Sequence, residues 1–255
     1  VKLDLRPATS LPLPERVALF NAGYEGYVVP MHLDETGLTT MQETLDIDLD
    51  ASRVAFRDGE PVGFANLAVR GDEGWLGGVG VVLSARRSGI GRVLMDAIHE
   101  QARERGLKRV WLEVIVENTG AFALYEKLGY RTTQDVEVWS LPGEDGEPEG
   151  REVAPEEAKA LIPAKHEPWQ RADATVAHYD DVRGWVTDTG AMLFRVRGAA
   201  QLLQYAGDPE PLMRALRTFG NAHVLNLPAD DPAGAVLREL GGTVPVRQHE
   251  MVLDL

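Results

Sequence analysis

Arg86-Arg87-Ser88-Gly89-Ile90-Gly91 is a run built to meet an anion, and Glu113 is an acid set in an otherwise apolar stretch a short way beyond it. The run joins the apolar residues 79–83 to a segment reaching about residue 105, where Ile90, Leu94, Ala97, Ile98 and Ala102 recur at helical spacing. A helix starting there presents backbone N–H groups without partners inside the helix and the positive end of its dipole. Glycine lets that backbone approach a bound anion closely. A P-loop would need Gly-Lys-Ser/Thr, and a dinucleotide fingerprint would need a third glycine where Leu94 stands, so the spacing excludes both. Along residues 108–116, Val110, Leu112, Val114 and Val116 alternate with Trp111, Glu113 and Ile115, the pattern of a strand. Burial beside Trp111 and Ile115 would raise the Glu113 carboxyl toward the range of a general base. On a wet face it is only a solvated carboxylate.

These groups need a scaffold, and its elements are readable. Residues 2–6, 53–57, 62–69 and 75–83 read as strands, the middle pair joined through Asp58-Gly59, a favoured hairpin turn. Residues 14–21 and 39–45 read as helices, with Tyr24, Tyr27, Met31 and His32 between them. Gly106 stops the helix after the glycine run, residues 121–128 form a short helix closed by Gly129, and residues 136–141 a strand. Asn118 caps that short helix or serves a ligand, and Tyr125 lies on it between Phe122 and Leu128. Residues 142–150 hold acid, glycine and proline with no large apolar side chain, as a solvated linker or an exposed hairpin tip does, and a domain boundary is expected there. Beyond it come helices near 155–162, 209–219 and 232–240 and strands near 192–196, 201–205, 222–227 and 248–253.

Twenty-six Lys plus Arg stand against forty Asp plus Glu, a formal net charge of −14, which argues against the basic footprint of general nucleic-acid binding. The field suits a cationic substrate, or simply keeps the chain soluble. With no cysteine, disulfides, a thiol nucleophile and thiolate metal sites are excluded, and the six histidines show no metal-like pairing, so no metal is expected. No apolar run approaches the roughly 18 residues of a membrane span and no leader pattern opens the chain, so a cytoplasmic protein with no membrane partner is expected.

The second half repeats the first. A shift of 112 residues sets 108–129 over 220–241, as strand, turn and short helix ending in Leu128-Gly129 and Leu240-Gly241. Under that shift Glu113 falls on Leu225, Asn118 on Asp230 and Tyr125 on Leu237, and the glycine run is replaced by Gly207-Asp208-Pro209-Glu210. Acids there repel phosphate and a proline removes an N–H, so only the first half looks equipped.

With these residues assembled, 1–141 resembles the GNAT superfamily of acyl-CoA-dependent N-acyltransferases. Val79 to Gly91 is similar to that family's strand and Arg/Gln-x-x-Gly-x-Gly/Ala pyrophosphate loop, with Leu94 in the helix that follows. Leu112-Glu113-Val114 with Asn118, Ala121, Leu124, Tyr125, Leu128, Gly129 and Tyr130 is similar to its second coenzyme-contacting segment. Leu83 and Ser88 stand where many members carry proline and Gly or Lys. The resemblance implies an α/β fold, α+β in its mixed sheet, as two tandem GNAT-like domains: a catalytic domain, 1–141, with the acetyl-CoA site, and a degenerate copy, 151–255. Each would be a mixed, mostly antiparallel sheet flanked by helices, as in tandem, mycothiol synthase-like proteins.

It implies that amides of Val81, Val82 and Leu83 hold the pantetheine arm and polarise the thioester. Gly89, Ile90, Gly91, Arg92, Val93 and Leu94 would cradle the pyrophosphate with Arg86 adding charge, and Asn118 would reach the pantetheine. Glu113 would serve as base and Tyr125 as acid. The expected reaction is acetyl transfer from acetyl-CoA to a primary amine of a small molecule or a protein. The alternatives are a silent coenzyme-binding sensor and a longer acyl donor. A monomer or homodimer is expected, and Tyr24, Tyr27, His32 and Glu35 lie where the family shapes its acceptor groove.

Overall fold

The computed structural model describes residues 3–255, which fall into two compact units. Unit 1 takes residues up to Thr133 together with Glu250–Leu255, and unit 2 takes Gln134–His249.

Unit 1 begins with β1 (Leu3–Pro7), α1 (Leu13–Gly23), α2 (Glu35–Thr44), β2 (Ile47–Arg57), β3 (Glu60–Arg70) and β4 (Glu73–Val81). Lys2, expected in the first strand, lies outside the described residues. These four strands form an antiparallel run, to which β5 (Arg109–Ile115) adds in parallel after the crossover helix α3 (Ile90–Glu104). A βαβ connection of this kind delivers a helix N-terminus to the end of β4. Residues on successive positions go to opposite faces: Val54, Phe56 and Phe64 join Leu19, Phe20 and Leu38 of α1 and α2, while Ala55 and Ala65 join the α3 side. On α3 the expected stripe is buried as Ile90, Leu94, Ile98 and Ala102, with Met95 and His99 beside it.

Two helices of this unit end in the same device. After α3, Gly106 takes φ +71 and donates to Arg103 O (2.9 Å), and Leu107 donates to Ala102 O (3.0 Å). After α4 (Thr119–Lys127), Gly129 takes φ +95 and donates to Glu126 O, and Tyr130 donates to Tyr125 O (3.0 Å each). Both are Schellman closures, which need a left-handed residue and bring the residue after the glycine onto the last turn. In the second, that residue is Tyr130, whose ring centroid lies 5.7 Å from that of Tyr125.

β6 (Arg131–Leu141) continues the chain into unit 2, which holds β7 (Arg151–Val153), α5 (Pro155–Lys159), α6 (Asp173–Val176), β8 (Arg183–Val186), β9 (Gly190–Arg197), β10 (Ala199–Gly207), α7 (Pro209–Arg217), β11 (Ala222–Pro228), α8 (Ala233–Glu239) and most of β12 (Thr243–Asp254). Its strand order is β6-β11-β10-β9-β8-β7, antiparallel except for the β10/β11 pair. The repeat is therefore structural: β10-α7-β11-α8 follows β4-α3-β5-α4 in order and sense. In α8, Gly241 (φ +84) and Gly242 close the last turn on Arg238 O and Leu237 O (3.1 and 2.8 Å), so Leu237 and Gly242 stand where Tyr125 and Tyr130 do.

The division does not fall at 142–150. That segment lies inside unit 2 and is fastened: Gly143 N donates to Asn221 Oδ1 (2.9 Å), Glu144 N to Arg217 O (3.1 Å) and Trp185 Nε1 to Glu149 O (2.9 Å). The units divide within the long strands instead. Residues 136–141 of β6 pair with β11, while Met251 of β12 is fully buried in the α3 core and Leu255 N donates to Lys108 O (2.9 Å). Residues 1–141 thus lack part of the core that surrounds α3.

His99 lies inside that core, 4% exposed, with Nε2 3.0 Å from the Tyr130 hydroxyl. Burial, then the charge of Arg103, lowers its pKa from 6.5 to about 4. The unfolded chain then binds a proton through the window between those values that the folded chain does not. Stability is accordingly full above about pH 6.5 and falls toward pH 4, by on the order of 2–3 kcal/mol. Urea midpoints measured down that range should decline for the native protein and less for His99→Gln; equal slopes would remove His99 as the cause.

No helix among the described residues is long and apolar enough to cross a membrane.

Candidate active site

β4 and β5 start together and then part. Their register pairs are Glu73 with Arg109, Gly74 with Val110 and Trp75 with Trp111, yet β4 runs on to Val81 and β5 to Ile115. On its other side β4 stays paired with β3, and Val82 N donates to Val62 O (3.0 Å). Amide direction alternates along an antiparallel strand, so the N–H groups of Val79 and Val81 point away from β3, toward the gap. Of the three amides expected to hold a ligand arm, Val82 is therefore committed within the sheet. The Val79 amide, which the sequence reading did not single out as a donor, faces the gap as that of Val81 does.

Glycines shape the wall of this gap. A Cβ on Gly78 (φ +132) would lie 2.5 Å from the Tyr24 hydroxyl, and one on Gly80 would lie 3.1 Å from Gly23 Cα at the end of α1. The chain is glycine-rich here because α1 and its tyrosine press on the strand.

The loop beyond β4 makes a short 3-10 turn, Leu83–Ala85, and enters α3 through Arg87 (φ +60) and Gly89 (φ +86). Gly89 is the N-cap and has no side-chain cap, and the first turn of α3 holds no acid. Val93 N donates to Gly89 O (3.2 Å), which leaves the amides of Gly89, Ile90, Gly91 and Arg92 without acceptors in the helix. The expected cradle of six amides is thus four, since those of Val93 and Leu94 lie within the helical ladder. The Leu94 side chain is buried in the core. Arg92 turns its guanidinium to Asp96 (3.0 Å).

Arg86 departs most from expectation. Its Nε donates to Val81 O (2.9 Å), and its Nη2 to Gly23 O (3.0 Å) and Glu25 O (2.7 Å). The side chain is a brace between backbone segments and is not turned to the anion cradle.

Glu113 is half-buried, and its Oε2 accepts from the indole of Trp75 (2.8 Å), a partner that register alone provides and no local pattern announces. Val116, expected to continue the strand of residues 108–116, lies past the end of β5 and is exposed. Asn118 caps α4 by accepting from Ala121 N (3.2 Å), and its side chain neighbours the Tyr27 hydroxyl. Tyr125 is buried on α4, and burial, then the neighbouring Tyr27 phenol, holds its hydroxyl well above the usual phenol range. Tyr24 is raised in the same way, by burial and by Tyr27 and Tyr125. Tyr24 and Tyr27, named only loosely in the sequence, lie within electrostatic reach of Tyr125, with Asn118 beside Tyr27. Their rings are edge-on with centroids 5.2 Å apart. With His32 they line a cavity of about 760 Å³. Glu35 opens α2 and does not line it.

Among the described residues, exposed large apolar side chains are Leu83, Val93, Val116, Val28 and Leu161. All but the last flank the gap elements: the end of β4, the first turn of α3, the end of β5 and the segment after α1. Unit 2 has none of this equipment. Asp208 caps α7 by accepting from Glu210 N (3.0 Å), Pro209 and Glu210 occupy its first turn, and the Tyr205 hydroxyl donates to Asp231 across the ends of β10 and β11. No group of three or more His, Cys, Asp or Glu side chains among the described residues is placed to hold a metal ion.

A strand pair that opens beside an uncapped, glycine-rich helix start, repeated in degenerate form, defines a pair of GNAT-like domains. Residues 23–130 match the model of the Acetyltransferase (GNAT) family. The ribosomal protein bS18-alanine N-acetyltransferase of Escherichia coli (strain K12) is 36% identical over 74 residues, 29% of this chain and 50% of that protein. The chain thus spans about half the length of that curated relative. Aminoglycoside N(6')-acetyltransferase type 1 of Salmonella typhimurium (strain LT2) is 29% identical over 116 residues, 42% of this chain and 80% of that one. A solved tandem GNAT protein from the clavulanic acid biosynthesis pathway superposes with TM-score 0.70 at 16% identity, covering 99% of this chain and 98% of that one, a likeness of fold.

Proposed function

We propose that unit 1 is an acetyl-CoA-dependent N-acetyltransferase, moving the acetyl group to a primary amine of a small molecule or a protein by direct attack in a ternary complex. The observation that carries this reading is the juxtaposition of two donor sets: four unshared amides at the start of α3, fit for a diphosphate, and the gap-facing amides of Val79 and Val81, fit for an extended arm and a thioester oxygen. Relatives named for acting on an alanine of a ribosomal protein and on an aminoglycoside support a nitrogen acceptor of either size.

Acetyl-CoA supplies an activated acyl carbon; the chain supplies placement and proton transfer. The amine nitrogen attacks the thioester carbon, its oxygen gathers charge against the Val81 amide, and the C–S bond breaks as C–N forms. Glu113 takes the proton the nitrogen loses, directly or through water, while Trp75 fixes its carboxylate. Tyr125 gives its proton to the departing sulfur. Burial keeps that phenol protonated, and the same dry surroundings make the thiolate more basic.

Calorimetry with acetyl-CoA, followed by free-thiol release over a panel of primary amines, tests the reading. Binding and amine-dependent release are expected, and absence of binding would end it. Glu113→Gln should lower kcat about tenfold with coenzyme affinity unchanged, less than a general base alone would supply because solvent can also accept the proton. Unaltered turnover across pH would take Glu113 out of the mechanism.

A further inference from the structure

Two side chains of the coenzyme elements reach the same short turn. Arg86, in the loop between β4 and α3, holds Gly23 O and Glu25 O as well as Val81 O, at 2.7–3.0 Å. Asn118, the cap of α4, has its side chain beside the Tyr27 hydroxyl. The turn that Arg86 holds, residues 23–27, ends α1 and forms part of the wall of the 760 Å³ cavity, with Tyr24, Glu25 and Tyr27 on it and Met31 and His32 beyond. Carbonyls at a helix C-terminus have no donor within the helix, so the guanidinium supplies bonds the turn would otherwise lack, and its charge suits the negative end of the α1 dipole.

We propose that Arg86 is a positioning residue that couples coenzyme binding to the order of the acceptor wall, residues 21–32. This rests on the reading of unit 1 as an acetyl-CoA enzyme and adds to it a means by which coenzyme binding organises the acceptor side. Phosphate on the amides of residues 89–92 adds an anchor to a loop that turns through two left-handed residues, Arg87 and Gly89, and is otherwise tied by Ser88 Oγ to Ala85 O (2.6 Å) and by Arg86 itself. A fixed loop fixes the Arg86 backbone, and the guanidinium then holds the carbonyls on either side of Tyr24. The coupling is reciprocal: an ordered wall raises coenzyme affinity by the same factor.

Hydrogen exchange with and without saturating acetyl-CoA, on the native chain and Arg86→Gln, tests this. In the native chain, added protection is expected at 86–92 and also at 21–32. In Arg86→Gln, affinity should stay within about threefold and the increment at 86–92 should remain, while that at 21–32 disappears. A purely structural role would loosen 21–32 equally in both states and leave the increment in place, and that result overturns the proposal. So does a loss of affinity of about thirtyfold or more, which would make Arg86 a phosphate ligand. Should Arg86→Gln fail to unfold cooperatively in urea, Arg86→Lys, which keeps the charge but not the fork, carries the same comparison and should keep part of the increment. A native chain that binds no acetyl-CoA sinks the function itself, a result distinct from binding without the distant increment.

Discussion

Gly91→Glu is expected to weaken acetyl-CoA binding about 100-fold or more while leaving unit 1 folded. Gly91 sits at the second position of α3, where a Cβ would meet Leu124 Cδ2 at 3.8 Å, an ordinary contact. Glutamate is a better helix former than glycine by about 0.5–1 kcal/mol, and its charge suits a helix start. The helix therefore gains by the substitution, while the carboxylate competes for amides a diphosphate needs and repels it. Unit 2 already carries this arrangement: Glu210 holds the second position of α7 behind the Asp208 cap. Calorimetry and the thermal midpoint read the two effects separately. Unaltered affinity with an unaltered fold would place the phosphates away from α3.

Tyr125→Phe is expected to lower kcat about 100-fold with acetyl-CoA affinity unchanged, the loss a positioned general acid accounts for. Phenylalanine keeps the ring that packs on Tyr130, so the fold should persist. Because burial and Tyr27 hold the hydroxyl above the usual phenol range, wild-type activity should not fall through phenol ionisation as pH rises to about 10. Tyr24→Phe is the control. Its phenol is raised for the same reasons but lies against Gly78, and it should cost far less than Tyr125→Phe. Full turnover in Tyr125→Phe would move the acid elsewhere, with Tyr24 the next phenol to test.

Much of this was legible because it rests on local constraints. Gly89, Gly106 and Gly129 mark left-handed positions that a helix start or a Schellman closure requires, so the glycine loop and the ends of both helices could be placed from residue types alone. The 112-residue repeat showed for the same reason, through a strand and a helix closed by Leu-Gly in each half. Helices and strands of unit 2 that the sequence did not show, β7, α6 and β8, are three to four residues long, too short for a period to register. The expected strand at 53–57 begins six residues earlier, at Ile47, and β2 runs through a bulge where the Asp48 carboxylate accepts from the amides of Asp50 and Ala51 (2.9 Å each).

Alone, the sequence determined the class of fold, the anion-ready helix start and the loss of that start in the second half, since each follows from what glycine, proline and acid do to a backbone within a few residues. Tertiary structure alone decided which partners those residues take. Arg86 is a brace because α1 brings Gly23 O and Glu25 O within its reach, Glu113 meets Trp75 because the strands align so, and the core around α3 is completed by Met251, far along the chain. A side chain with several possible partners is assigned by distance in space, and distance between residues remote in sequence is set only when the sheet closes.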